Sequence, residues 1–100
     1  MTTFEVFQAA MVWNPDTQQA TVDMDRARAI QRDRLRGLRA PLLVANDVTL
    51  RDAMVDGDTQ RRNAAIRRRD ELRDVTKYTA IDGAKTLEEL WKAVPKILTE

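Results

Sequence analysis

Arg61, Arg62, Arg67, Arg68, Arg69 and Arg73 crowd one short stretch, and guanidinium groups at that density can bind phosphate. Phosphate recognition would need them on one continuous face. Consecutive helical residues step round the axis by about 100° each, so Arg67, Arg68 and Arg69 fan over roughly 200°. Asp70, Glu71 and Asp74 lie among them and cancel much of the field. The alternation reads first as a solvated, salt-bridged helix. An acidic protein partner comes second, and nucleic acid is the weakest of the three.

Other chemistry is sparse. The chain has no Cys, hence no disulfide framework or thiol chemistry, and no His, the commonest general base and metal ligand. Asp52, Asp56 and Asp58 around Gly57 have a faint likeness to a calcium loop, but the required loop is longer and its closing Glu is missing. No carboxylate pair is singled out by spacing. Tyr78 would need a carboxylate base with no His to orient it, in a chain that also lacks Ser. No catalytic, cofactor-binding or metal-binding residue is therefore assigned, and the chain is read as a non-enzyme.

The residues better suited to function are apolar. Trp13 and Trp91 each bring a large area and one indole donor, a combination favoured at buried seams and at interfaces. Phe4, Val6, Phe7, Val12 and Trp13 give the N-terminal quarter a larger aromatic share than the helices that follow. These five and Trp91 form the candidate partner-binding set. The five are expected to bury, at least partly, against another subunit or another protein. For either Trp, a place in the chain's own core is the first reading and an inter-subunit contact the second.

Three segments must position them. The first, residues 1–22, reads as β: Phe4 to Trp13 is rich in β-formers at both ends, Asn14-Pro15-Asp16-Thr17 makes a turn, and Ala20-Thr21-Val22 returns. A hairpin centred on Asn14–Gln19 is expected, with an arm that orders against a partner as the alternative. The second, 23–76, reads as two long helices forming an antiparallel hairpin. Asp23 caps the first, whose face carries Met24, Ala27, Gln31, Leu35, Leu38 and Leu42. Pro41 is expected to kink or break it near Ala40, since a ring without an N–H disrupts a helix interior. Asn46-Asp47 then reads as a turn or cap and Thr49 to Asp56 as a short helix, closed by Gly57 at positive φ. Asp58 or Thr59 caps the second long helix, packed through Ala65, Leu72 and Val75. The third segment, 77–100, reads as a linker from Lys77 to Gly83 and a short helix opened by the capping box Thr86-Leu87-Glu88-Glu89 and ended by Pro95. The fold class is thus mainly α, with an N-terminal β-hairpin or arm, a helical hairpin and short extra helices.

Composition bounds the rest. In 100 residues, Lys and Arg number 17 against 16 Asp and Glu, so no global field calls for nucleic acid or an anionic membrane. Hydrophobic residues make up 43%, many of them Ala, and aromatics 5%, so the core must be thin. Oligomerisation or docking on a larger assembly would remedy that. No apolar run approaches the roughly 20 residues that span a bilayer, and the start lacks the basic and apolar stretch of a signal peptide. A cytosol-like compartment is expected.

The run Met24-Asp25-Arg26-Ala27-Arg28-Ala29-Ile30-Gln31-Arg32-Asp33-Arg34-Leu35-Arg36 leads through Arg39-Ala40-Pro41-Leu42-Leu43, Asn46-Asp47-Val48 and Asp56-Gly57-Asp58 to Leu72-Arg73-Asp74-Val75-Thr76. Thr86-Leu87-Glu88-Glu89-Leu90-Trp91 and Pro95 follow. In that order the motifs resemble those of small bacteriophage and prophage tail and tail-fibre-associated proteins, tail assembly chaperones among them. The likeness covers roughly residues 23–95 and leaves the N-terminal segment outside it. It implies a structural tail protein joined to other tail proteins; with the thin core it is expected as a homo-oligomer or in several copies, and the composition leads to no cofactor and no membrane. The likeness equally admits a transient assembly chaperone. The implied location is the virion tail, or the bacterial host's cytoplasm during assembly. An Arg-rich nucleic-acid-binding regulator is the weaker alternative.

Overall fold

The computed structural model describes residues 2–99. The chain is mainly α-helical, with one antiparallel β-hairpin near the N-terminus. It divides into two compact units. One takes the chain up to Arg34 together with Tyr78–Val94; the other takes Leu35–Lys77 together with the chain from Pro95 on.

The first unit opens with helix α1, Thr3–Phe7, whose N-cap Thr2 accepts from the Glu5 N–H at 3.2 Å. A 3-10 turn follows at Gln8–Ala10. Residues from Phe4 to Ala10, expected as strand, are therefore helical. The reason is tertiary: Phe7 and Ala10 are three apart, lie on one side of a helical turn, and are both fully buried. α1 packs on α5, Leu87–Lys92. The expected hairpin is present, from β1, Met11–Asn14, to β2, Gln19–Val22. Its register pairs Met11 with Val22, Val12 with Thr21, Trp13 with Ala20 and Asn14 with Gln19. The turn is held as its residue types suggest, the Asn14 side-chain oxygen accepting from the Asp16 N–H at 3.0 Å. Gln18 closes it at φ 54°, in the left-handed region.

Asp23 caps α2, Met24–Asp56, through the Arg26 N–H at 3.2 Å, and Ala27, Gln31 and Leu35 are buried along it as the spacing predicts. Between Lys77 and Gly83, the expected linker, the chain instead forms α4, Thr79–Gly83, which buries Ile81. At the start of α5, Thr86 Oγ1 accepts from the Glu89 N–H at 3.1 Å. The Glu89 carboxylate reaches back to the Lys85 N–H at 2.8 Å, one residue before the usual partner of a capping box. Phe7, Ile81 and Leu90 are fully buried, each stabilising by about 1.5–3 kcal/mol relative to exposure.

The second unit is the helical hairpin. α2 runs for 33 residues without a break, so neither the interruption at Pro41 nor the turn at Asn46-Asp47 exists. Pro41 leaves the carbonyl of Gly37 without its intrahelical donor. Both residues are exposed, so water can satisfy that carbonyl. A proline in a helix interior costs about 3 kcal/mol, offset here by the burial of Leu35 and Ala53 on either side of it.

Gly57, at φ 70°, ends α2. Its N–H reaches the Met54 carbonyl at 3.3 Å and the Asp58 N–H the Ala53 carbonyl at 2.9 Å, the two bonds of a Schellman motif. Asp58 then caps α3, Thr59–Arg73, by accepting from the Arg61 N–H at 3.0 Å. Asn46 Nδ2 donates to the Ala65 carbonyl at 2.8 Å across 19 residues of sequence, and Arg39 Nη1 to the Arg73 carbonyl at 2.9 Å across 34. Sequence separation that shrinks toward the Gly57 turn makes the pair antiparallel. Ala65, Leu72 and Val75 are buried as expected. Leu38 is not: it is 40% exposed, and the buried line passes through Asn46 and Ala53 instead.

Candidate functional site

Arg28, Arg32, Arg34 and Arg39 of α2 are occupied within the fold. The last carbonyls of a helix have no intrahelical donor and carry the negative end of its dipole. Arg28 donates to the Ile81 carbonyl through Nε at 3.3 Å and to the Ala84 carbonyl through Nη2 at 3.1 Å, closing α4. Its remaining nitrogen pairs with Asp25 at 3.1 Å, as the three-residue spacing predicts. Arg32 pairs with Asp82 on α4.

At the end of α5, Gln31 Nε2 donates to the Ala93 carbonyl at 3.1 Å, and Arg34 Nη1 to the Trp91 carbonyl at 3.0 Å. The interruption that Gln31 makes in an otherwise apolar stripe is thus a buried helix cap. Arg34 also donates to the Gln31 side-chain oxygen at 3.3 Å, and its guanidinium lies over the Trp91 ring. Desolvation lowers the pKa of Arg34 from its ordinary value. Such caps escape sequence reading because the carbonyls they satisfy lie dozens of residues away.

On α3 the cationic side chains do not converge. Arg61 approaches Asp56 at 3.8 Å, Arg62 reaches the Asn63 side chain at 3.4 Å, and Arg69 Nε lies 3.7 Å from Asp70. Arg67 and Arg73 have exposed side chains. Among the described residues no group of three or more His, Cys, Asp or Glu could hold a metal ion. No helix among the described residues is long and apolar enough to cross a membrane.

The six apolar candidates separate. Phe7 is fully buried within the first unit, and Val6 is half-buried. Trp91 is half-buried beneath Arg34. Phe4, Val12 and Trp13 remain exposed, Trp13 by 62%. Trp13 and Val12 are neighbours on β1, and the pleat turns them to opposite faces of the hairpin. Both faces therefore present apolar area that the described residues leave partly in solvent.

A second apolar surface lies on α2, where Val44, Val48, Met54 and Val55 are all exposed. This line is not legible in the sequence, because the turn expected at Asn46-Asp47 separates Val44 from Val48 and Val55.

Comparison with protein-family models, with curated proteins and with solved structures gives no match.

Proposed function

We propose that this chain is a non-enzymatic attachment protein of a bacteriophage tail or tail fibre, holding a neighbouring tail protein through its N-terminal hairpin. The observation that carries the reading is the exposure of Trp13, together with Val12, on a two-stranded hairpin. An isolated two-stranded ribbon is at best marginally stable in water, and a large indole left in solvent gains by being covered. The order of motifs from Met24 to Pro95 supplies the phage part of the proposal. The commitment of Arg28, Arg34 and Arg39 to backbone carbonyls withdraws those guanidinium groups from any phosphate, and on α3 Asp56, Asn63 and Asp70 lie close to Arg61, Arg62 and Arg69, which weighs against a nucleic-acid regulator.

The test uses particles of a phage that carries this sequence. Mass spectrometry of purified particles should find the chain in the tail, in several copies. Trp13→Ser with Val12→Ser should remove it from particles while leaving its circular dichroism unchanged. A chain abundant in infected cells and absent from finished particles would be a transient assembly chaperone instead. Nucleic-acid binding that weakens steeply with salt would restore the regulator reading.

A further inference from the structure

We infer that the outer face of α2 between Val44 and Val55 is a self-association surface, on which a second copy of this chain docks in antiparallel orientation about a two-fold axis near Thr49. Around this stretch the inner side of α2 buries Asn46 and Ala53, while Val44 and Val55 on the opposite side are 65% and 81% exposed. An apolar line on the outer side of a helix whose inner side is already packed gains by being covered. The exposed positions Val44, Val48, Arg51 and Val55 recur by four, three and four residues, the spacing of a seam between paired helices.

Charge selects the occupant. Asp47 and Arg51 lie toward this same outer face, and neither makes an ion pair among the described residues. They are symmetric about Thr49. A two-fold axis there brings Asp47 of each copy beside Arg51 of the partner subunit, and the reverse. The same operation sets Val44 near Val55 of the partner subunit. It also lays the aliphatic stem of Arg51 against Val48 of the partner subunit, leaving the guanidinium free to reach the carboxylate. The surface is thus complementary to itself in shape class and in charge, as an isologous contact requires.

Val44 to Val55 spans about 16 Å of helix at 1.5 Å per residue. So short a contact falls below the roughly 1,200 Å² of stable complexes, so the free chain should show a fast monomer–dimer equilibrium at micromolar to millimolar concentrations.

Sedimentation equilibrium of the full chain over that range tests it. The wild-type mass should rise toward that of a dimer. Asp47→Arg alone and Arg51→Asp alone place like charges together and should each stay monomeric. An equimolar mixture of those two single variants should associate again, because each then carries the charge the other lacks. Val44→Glu, at a site already in solvent, should abolish association with native circular dichroism retained. A wild-type chain that stays monomeric at millimolar concentration overturns the inference. So does association unaffected by Val44→Glu, or a mixture that fails to associate. The face belongs to the unit of Leu35–Lys77 and Trp13 to the other, so a Trp13→Ser chain should dimerise normally. The two proposals can therefore fail separately.

Discussion

The Arg34 guanidinium carbon lies 3.5 Å from the centroid of the Trp91 ring, while one of its nitrogens donates at 3.0 Å to the carbonyl of that same residue. One side chain thus closes the end of α5 and covers its tryptophan. Cation–π contacts contribute about 0.5–2 kcal/mol and charged hydrogen bonds about 1.5–3, both toward the low end here because the group is partly exposed. Arg34→Ala should therefore destabilise the chain by about 1–3 kcal/mol in urea unfolding. It should also change Trp91 fluorescence, measured in a Trp13→Phe background. Arg34→Lys, which keeps the charge and loses the planar fork, should recover part of the loss. Unchanged stability in Arg34→Ala would mean that the cap is ornamental.

Arginines of the same type should behave differently by position. Arg28 closes α4 through two carbonyls, so Arg28→Ala should cost about 1–3 kcal/mol. Arg67 is exposed, and its replacement by Ala should stay within about 0.5 kcal/mol. Equal midpoints for the two variants would contradict the carbonyl-capping role.

In the helical hairpin, Leu35→Ala and Leu72→Ala each remove a fully buried side chain and should cost about 2–5 kcal/mol. Leu38→Ala should cost less, about 1 kcal/mol, because 40% of that residue is already in solvent. Leu38 behaving like Leu35 would place the packed face of α2 wrongly.

The two helix-weakening residues of α2 should be replaceable with gain. A side chain at Gly37 meets nothing within 4 Å, and Gly37→Ala should stabilise by about 0.5–1 kcal/mol. Pro41→Ala restores a donor for the Gly37 carbonyl and should stabilise by about 1–3 kcal/mol, less the unfolded-state entropy that proline removes. Destabilisation by Pro41→Ala would show that the proline has a packing role the helix needs.

Gly57 should tolerate no side chain without loss. At φ 70° a β-carbon is strained, and Gly57→Ala should cost about 1 kcal/mol. Asp58→Ala removes the cap of α3 and should cost about 0.5–2 kcal/mol. Thermal melts of the two variants and their combination measure both terms.

Local chemistry was legible from the residues. The caps Asp23, Asp58 and Thr86, the Gly57 terminus and the turn after Asn14 are each made by groups within a few residues of one another. Their geometry follows from residue type and short spacing alone. Burial of Ala65, Leu72 and Val75 was legible too, because helical periodicity makes one face apolar. Of the candidate partner residues, Trp13, Val12 and Phe4 remained in solvent, whereas Phe7 joined the core. Deletion of the N-terminal segment would therefore remove core as well as surface, and point substitutions at Trp13 and Val12 are the cleaner probe.

What the sequence determined by itself was a mainly α chain with one N-terminal hairpin, since caps, turns and periodicity act over a single helical turn or a single loop. Only the tertiary structure decided that α2 continues through Pro41, because the packing of distant side chains outweighs one missing hydrogen bond. It also decided that Phe4 to Ala10 is helical, since strand propensity is weaker than the burial of Phe7. And it decided where the arginines go. The carbonyls of Ile81, Ala84 and Trp91 become available to α2 only once the chain from Tyr78 to Val94 has folded into the same unit as Arg28 and Arg34. A guanidinium can cap any helix end within reach, and which end lies within reach depends on contacts that span more than fifty residues of sequence.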